Sequence, residues 1–293
     1  MGEEGPMVPP NVGLREKARN YLVGTKVLNG SKAQLIYIIL LRLLKKWFPS
    51  KRSLFDKLLK GSSDRKILVR NAIGTFCVSP VNDSLAKAMP HFEKTCHHWL
   101  KNDRTHLFVD VGANTGFYTI LATGRYDYNK ALSFEANPEV YRMLEKNLEL
   151  NGLQTRAKCF NLALGEKRQV LTFCRYVSHT GLSRFIESES EIKHKDREDH
   201  DIVELETVSF DDFVTTHDIN VMEIDFVKID VEGFEYNVLK GMKRTLSLIS
   251  NVKLFVEINP KNKNREQMTG LLSELGFILQ DRTGMNYLFV KGL

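Results

Sequence analysis

The sequence predicts an α/β fold in which a mostly parallel β-sheet is covered by helices on both faces. Strand and helix signals alternate from about residue 67 onwards, as they do in repeated βα units. Several predicted strands are apolar at almost every position, which is typical of strands buried on both faces of a parallel sheet. A glycine-containing loop, DVGANTG at residues 110–116, separates one of these strands from a helix.

The predicted elements are short and well delimited. Two strands lie around Gly74 within residues 67–78, and a helical stretch covers residues 84–100. Further strands are predicted at residues 107–110, 131–135, 156–160, 226–229 and 253–258, with a closing pair from residue 277. Helices are predicted at residues 115–123, 137–152 and 264–275. The second helix has Asn137 as its N-cap, Pro138 in its first turn and Asn151-Gly152 as its stop.

The N-terminal part differs from the rest in charge. Residues 1–70 carry 15 Lys and Arg against 5 Asp and Glu, a net of +10, so the other residues carry −4 of the total of +6. We therefore divide the chain into a basic extension at residues 1–64 and a domain at residues 65–293. The four cysteines are scattered and the first residues lack a signal-peptide pattern, which favours reduced thiols and a cytoplasmic protein.

The extension contains a predicted amphipathic helix at residues 33–48, AQLIYIILLRLLKKWF, with 12 of 16 positions apolar. It is too short and too charged to span a bilayer, which takes about 20 mainly apolar residues. Arg42, Lys45 and Lys46 share one face, and Trp47 and Phe48 end the segment. The pattern fits either a peripheral membrane contact or a helix packed on the domain or in a dimer contact.

The loop at residues 110–116 narrows the class of ligand. A dinucleotide fingerprint needs glycine where Asn114 and Phe117 stand, and no P-loop lysine follows. S-adenosylmethionine, which has no phosphate, fits a sharp bend at Gly112, backbone N–H groups and the Asn114 amide for its carboxylate, and Asp110 for its ammonium group. Glu135 ends the next strand at a separation that suits ribose hydroxyls. The alternative is that Asp110 and Glu135 are strand-end acids favoured near helix N-termini.

Six segments, in this order and spacing, resemble a known family: DVGANTG, EANP, NLALGE, SFDDF, DFVKIDVEGFEYNVLKG and VEINP. Over about residues 67–293 the chain resembles FkbM-type methyltransferases, a branch of the class I S-adenosylmethionine-dependent enzymes. The resemblance implies a Rossmann-like, seven-stranded, mostly parallel sheet whose last strand is antiparallel. It also implies S-adenosylmethionine as the cofactor, with contacts from Asp110, Gly112, Asn114, Gly116, Glu135, Asn161 and Ala163.

Methyl transfer to a hydroxyl requires the nucleophile to be held in line with the methyl carbon and a base to take its proton. The segment IDVEGFE supplies Asp230 as the first candidate for base or orienting acid and Glu232 as the second. Glu235 is expected to start a helix and to complement its dipole. His179, in SHTGLS, is a further candidate for a base or a substrate contact.

A metal mechanism is the alternative to a protein base. Asp230, Glu257 and Asn259 are oxygen ligands at neighbouring strand ends, and such a set can hold Mg²⁺ and lower the pKa of a hydroxyl. The sequence leaves both mechanisms open.

The acceptor is predicted from the resemblance alone, as a hydroxyl on a sugar, glycan, lipid-linked or natural-product molecule. Residues 187–201, with seven acids and three bases, predict a mobile, solvated loop, or alternatively a lid over the acceptor. Two other functions remain: an RNA methyltransferase anchored by the basic extension, and a nucleotide-binding module without turnover. The net acidic domain disfavours nucleic acid as a partner.

Overall fold

The computed structural model describes residues 25–28, 66–79, 82–177, 179–188 and 200–292, together with eight single positions between residues 36 and 58. A small antiparallel sheet leads into the domain and consists of β1 (Lys26–Val27), β2 (Ile67–Arg70) and β3 (Thr75–Val78). Because β1 pairs with β2, part of the basic extension is hydrogen-bonded to the first hairpin of the domain.

Two more sheets follow. In chain order their strands are β4 (Leu107–Val111), β5 (Lys130–Phe134), β6 (Ala157–Phe160), β7 (Ala163–Gly165), β8 (Gln169–Tyr176), β9 (Arg184–Phe185), β10 (His200–Ser209), β11 (Ile224–Ile229), β12 (Val252–Glu257), β13 (Ile278–Thr283) and β14 (Asn286–Lys291). The central sheet has the order β13-β14-β12-β11-β4-β5-β6. From β12 to β6 its neighbours are parallel, whereas β14 is antiparallel to β12 and β13. The predicted seven-stranded sheet with an antiparallel last strand is confirmed.

The helices of the domain are α1 (Ser84–Lys87), α2 (Phe117–Arg125), α3 (Pro138–Leu150), α4 (Phe210–Thr216), α5 (Glu235–Gly241), α6 (Lys243–Leu248) and α7 (Arg265–Glu274). As predicted, the Asn137 side chain caps α3 and accepts from the N–H of Glu139 at 3.0 Å. The prediction of one continuous helical stretch at residues 84–100 is wrong. It divides into α1 and a 3-10 helix at Lys94–Leu100, because Pro90 lacks an N–H and disfavours a helical conformation before it.

Alternate side chains of the central strands face two separate apolar clusters. In β4, Phe108 belongs to the cluster that includes α2 and α3, and Val109 belongs to the cluster that includes α4 to α7. Both side chains are completely buried. This two-sided burial is why the strands appear in the sequence as continuous apolar runs. The four cysteines are free, as their scattered spacing predicted.

The insertion between β6 and β11 forms a separate four-stranded sheet that was not predicted, with the order β7-β10-β8-β9. Its main pair, β8 and β10, is antiparallel over eight residue pairs. The predicted mobile loop is wrong at its end, since His200 and Asp201 already belong to β10, and residues 189–199 lie outside the described residues. Alternating apolar and polar residues, as in Val203-Glu204-Leu205-Glu206, were the local signal for this half-exposed sheet.

In the predicted helix at residues 33–48, each of the positions that the structure describes is helical. Ile39 and Leu41 are buried in the same cluster as α2, whereas Tyr37 and Leu40 are exposed. One face of this segment therefore packs on the domain. Its basic residues and Trp47 lie outside the described residues, so the membrane contact stays a prediction. Within the described part of the chain, no helix is long and apolar enough to cross a membrane.

Candidate active site

A cavity lies where the carboxyl ends of β4, β5 and β11 meet, the edge at which open α/β sheets bind ligands. It encloses about 850 Å³ of empty space, with the open solvent at its mouth included. The loop after β4 forms one wall, and the segment that leads into β9 forms another. The sequence placed the site at this edge of the sheet.

The bend in the loop after β4 depends on Gly112, which has a φ of +78°. A Cβ atom at this position would overlap the backbone carbonyl oxygen of Asp230, at the end of β11. The same two strand ends are joined by a hydrogen bond from the N–H of Asp230 to the carbonyl oxygen of Val111, at 3.0 Å. Glycine is therefore required here both for its conformation and for the close approach of two chains.

The backbone N–H groups of this loop are already engaged within the chain. The N–H groups of Gly112 and Ala113 donate to the carbonyl oxygen of Phe134 at 3.0 and 2.9 Å. The N–H of Asn114 donates to Glu135 Oε2 at 2.9 Å, and the N–H of Thr115 donates to Asn114 Oδ1 at 3.0 Å. The N–H of Gly116 donates to the carbonyl oxygen of Ala113 at 2.9 Å. The sequence predicted that these N–H groups would bind the carboxylate of a ligand. In the structure these N–H groups hold the bend of the loop, because a short turn needs internal hydrogen bonds for its own polar groups. The predicted contact between the Asn114 amide and the ligand carboxylate stays a prediction.

Glu135, at the end of β5, links the loops that follow β4 and β5. Its Oε1 accepts from the N–H of Asn137 and its Oε2 from that of Asn114, both at 2.9 Å. Burial raises the pKa of Glu135 to about 7. Each carboxylate oxygen keeps a second lone pair, so the ionised side chain can also accept from two hydroxyl groups of a ligand.

Two residues that were predicted to contact the cofactor, Asp110 and Asn161, make hydrogen bonds within the chain. Asp110 is fully buried, and its Oδ2 accepts from Thr119 Oγ1 at 2.7 Å, whereas its Oδ1 has no hydrogen-bond partner among the described residues. Asn161 donates to the carbonyl oxygens of Glu135 and Ala136 at 2.8 and 3.1 Å. The described lining of the cavity includes Ala163 but neither Asp110 nor Asn161. Direct contacts of these two residues with a cofactor stay predictions.

Three carboxylates, those of Asp230, Glu232 and Glu257, have oxygens within 4.8 Å of one another at the ends of β11 and β12. Lys228, which is 2% exposed, donates to Asp230 Oδ2 at 3.0 Å and lies 5.0 Å from the centre of the Tyr118 ring. Burial by itself raises the pKa of Asp230, but Lys228, a hydrogen bond with Glu257 and the charge of Lys87 together outweigh burial and hold the pKa below its ordinary value.

The other two members of this cluster have raised pKa values. Burial, together with the nearby charge of Asp230, raises the pKa of Glu232 to about 8 and that of Glu257 to about 9. The surroundings therefore favour the ionised form of Asp230 and the protonated forms of Glu232 and Glu257.

The turn after β11 positions Glu232, which has a φ of +54°. Glu235, the first residue of α5 as predicted, accepts from the N–H groups of Gly233 and Val231 at 2.8 and 3.3 Å and so fixes this turn. Asn259, part of the predicted Mg²⁺ site, lies in the loop after β12 and accepts from the N–H of Lys261 at 3.0 Å. The Mg²⁺ site stays a prediction.

A 3-10 turn at Thr180–Leu182, in the insertion between β6 and β11, lines the cavity. Thr180 donates to Asp83 Oδ1 through its N–H at 3.1 Å and through its hydroxyl at 2.8 Å. The predicted candidate base His179 is the N-cap of this turn, and it is not among the described residues that line the cavity. The structure thus places His179 beside the site, and its catalytic role stays a prediction.

A second cavity adjoins the first at the ends of β11 and β12. The two cavities share Phe185, Glu232 and Phe234 as lining residues, and the rings of Phe185 and Phe234 lie 4.6 Å apart. The second cavity is also lined by Tyr176, Arg184, Glu257, Asn259 and Lys261. Glu232 therefore borders both cavities.

Two lysines of the site, Lys87 and Lys228, were not predicted. Lys228 had a signal, because a lysine within the apolar run of FVKI indicates a buried charge that needs a partner. Lys87 stands alone at the end of a short helix and had no comparable signal.

Comparisons with known proteins identify relatives of this chain. The Methyltransferase FkbM domain family matches residues 110–280. The chain is 29% identical over 195 residues to Methyltransferase sdnD of Sordaria araneosa, which covers 59% of this chain and 74% of that protein. It is 26% identical over 181 residues to Methyltransferase 1 of Beauveria bassiana (strain ARSEF 2860), which covers 58% of this chain and 71% of that protein.

Among solved structures, Methyltransferase FkbM from Methylobacillus flagellatus KT is 16% identical with a TM-score of 0.44. The match covers 71% of this chain and 53% of that structure, so the chain spans about half of its length. The family match extends over more than half of the chain and begins at the loop that forms the first cavity. The protein therefore belongs to the FkbM methyltransferase domain family and is a methyltransferase.

Proposed function

We propose that the protein transfers the methyl group of S-adenosylmethionine to a hydroxyl group of a sugar, glycan, lipid-linked or natural-product acceptor. The observation that supports this proposal is the position of Glu232, which lines both adjoining cavities and belongs to a carboxylate cluster. A carboxylate at such a boundary can take the proton from a hydroxyl in the second cavity while its oxygen faces a methyl donor in the first.

The residues of the first cavity fit this donor. Phe134, Leu162 and Ala163 offer apolar surface for an adenine ring, and Glu135 has acceptor capacity for two ribose hydroxyls. Asp230 supplies negative charge beside the positively charged end of the donor. The donor supplies an electrophilic methyl group, and the chain has to orient the acceptor and remove its proton.

We assign the role of base to Glu232 and the role of orienting residue to Asp230. A carboxylate held ionised by Lys228, with a pKa below its ordinary value, is a poor proton acceptor but a good hydrogen-bond acceptor. Glu232, with a pKa of about 8, is better matched to proton transfer near neutral pH. The electrostatics thus favour the second candidate from the sequence over the first.

This assignment predicts a pH dependence. Because Glu232 must be ionised to act as a base, kcat/KM for the acceptor should rise with pH and level off above the pKa of Glu232 in the donor complex. That pKa is about 8 before the donor binds, and the positive charge of the donor lowers it. On the acidic side it should fall about tenfold per pH unit. Measurement at saturating donor removes the effect of Glu135, whose pKa is about 7. A flat profile between pH 6 and 8.5 would instead favour Asp230 as the base.

Isothermal titration calorimetry tests the proposed donor. S-adenosylmethionine and S-adenosylhomocysteine should bind, NAD⁺ should not, and added Mg²⁺ should leave their affinities unchanged. Labelled donor then identifies the acceptor among glycans, lipid-linked sugars and natural products. If neither adenosyl compound binds, the domain is not an S-adenosylmethionine enzyme, and transfer of the label to RNA would contradict the proposed acceptor class.

A further inference from the structure

The proposed donor carries a carboxylate, and the structure must provide a partner for it. The five consecutive N–H groups of the loop from Gly112 to Gly116 donate within the chain, so they are not available for this carboxylate. Asp230, the lining carboxylate whose ionised form is favoured, would repel it. The described lining includes two cations, Lys87 and Lys228.

Lys228 is committed to another partner. It is almost completely buried, donates to Asp230 and lies over the rings of Tyr118 and Phe255. Removing it from Asp230 would leave a partly buried carboxylate without its hydrogen-bonded counterion, which is destabilising.

Lys87 is arranged differently. Its side chain is 19% exposed, and its ammonium lies 3.5 Å from Asp83 Oδ2, an ion pair at longer range than a good hydrogen bond. The oxygens of Asp83 already accept from Thr180 at 2.8 and 3.1 Å and from the N–H of Gly181 at 3.4 Å. The ammonium therefore keeps donor capacity for a ligand within the described site.

The surroundings of Lys87 keep it charged and in place. Burial by itself lowers the pKa of Lys87, but the carboxylates of Asp83, Asp230, Glu232 and Glu135 outweigh it and raise the pKa above its ordinary value. A Cβ atom at Gly181 would overlap the Lys87 ammonium, so the 3-10 turn lies directly against it. Asp83 thus acts as a positioning residue, because it holds both the turn and the lysine.

We propose that Lys87 binds the carboxylate of the methyl donor, in contact with the turn at Thr180–Leu182. This inference rests on the proposed function, because it takes S-adenosylmethionine to be the donor. It divides the recognition of the donor between carboxylates, which face its positive groups, and one lysine, which faces its negative group. A ligand without a carboxylate would gain no binding affinity from Lys87.

Calorimetry with two ligands tests this selectivity. Lys87→Met removes the charge and keeps most of the length of the side chain. It should weaken the binding of S-adenosylhomocysteine about 10- to 100-fold, the effect of losing a charge-assisted hydrogen bond. The affinity for decarboxylated S-adenosylmethionine should stay the same or increase. Lys87→Arg, which keeps the charge, should restore part of the affinity for S-adenosylhomocysteine.

The controls separate this role from a structural one. Lys146→Met makes the same change on the exposed face of α3, where Lys146 pairs with Glu149, and should alter neither affinity. If Lys87→Met weakens both ligands equally, or neither, Lys87 does not bind the carboxylate and the inference is wrong. If the wild-type protein binds no adenosyl ligand, the proposed function itself fails, and this inference fails with it.

Discussion

Glu232→Gln is expected to lower kcat by about 10²- to 10⁴-fold, the usual contribution of a general base. Glutamine keeps the size of the side chain and much of its hydrogen-bonding capacity, but it cannot take a proton from the acceptor hydroxyl. The affinity for S-adenosylhomocysteine should change little, because Glu232 lies at the boundary with the second cavity. Single-turnover rates and calorimetry on the same variant measure the two quantities separately.

Glu257→Gln is the matched control within the same cluster. With a pKa of about 9, Glu257 holds a proton at neutral pH, and glutamine is a neutral replacement of similar shape. This variant should lose far less activity at pH 7 than Glu232→Gln. An equal loss in both variants, together with inactivation by EDTA, would show that the cluster holds a divalent cation and would contradict our assignment of a protein base.

Gly112→Ala is expected to destabilise the protein by about 2–5 kcal/mol and to abolish donor binding. Part of this effect is the cost of a left-handed conformation for alanine. The rest arises because the new methyl group would overlap the carbonyl oxygen of Asp230 and push apart the ends of β4 and β11. Chemical denaturation and calorimetry measure the two losses.

Gly152→Ala separates these two contributions. Gly152 follows α3 with a φ of +66°, and a Cβ atom there would meet no atom within 4 Å. It should therefore cost only the conformational part, about 1–2 kcal/mol, without loss of donor binding. If Gly112→Ala is no more destabilising than Gly152→Ala, our inference that the ends of β4 and β11 approach too closely for a side chain at Gly112 is wrong.

The elements predicted correctly from the sequence are those with local signals. The strand predicted at residues 107–110 is observed at Leu107–Val111, and the helix predicted to begin after Asn137 begins at Pro138. Apolar runs delimit the strands, while a capping side chain and a proline delimit the helix, and both signals act over a few residues. Pro90, within the helix predicted at residues 84–100, is also a local signal, and it marks the division of this stretch into two helices.

The pairing of β8 with β10 could not be derived in the same way. The two strands are separated by more than twenty residues and are joined by hydrogen bonds that depend on the final register. Their charged, alternating pattern resembles that of a solvated loop until a partner strand is known. The insertion was therefore predicted as irregular in its charged part, although its 3-10 turn lines the cavity.

The sequence alone determined the class of fold, the edge of the sheet that holds the site, and the candidates Glu135, Asp230 and Glu232. It could do so because parallel strands bring their carboxyl ends to one edge, so residues that follow successive strands must lie close together. Tertiary structure alone decided the protonation of the carboxylates, the use of the loop N–H groups and the position of Lys87. Those properties depend on burial and on distances between residues far apart in the chain, which no local pattern contains.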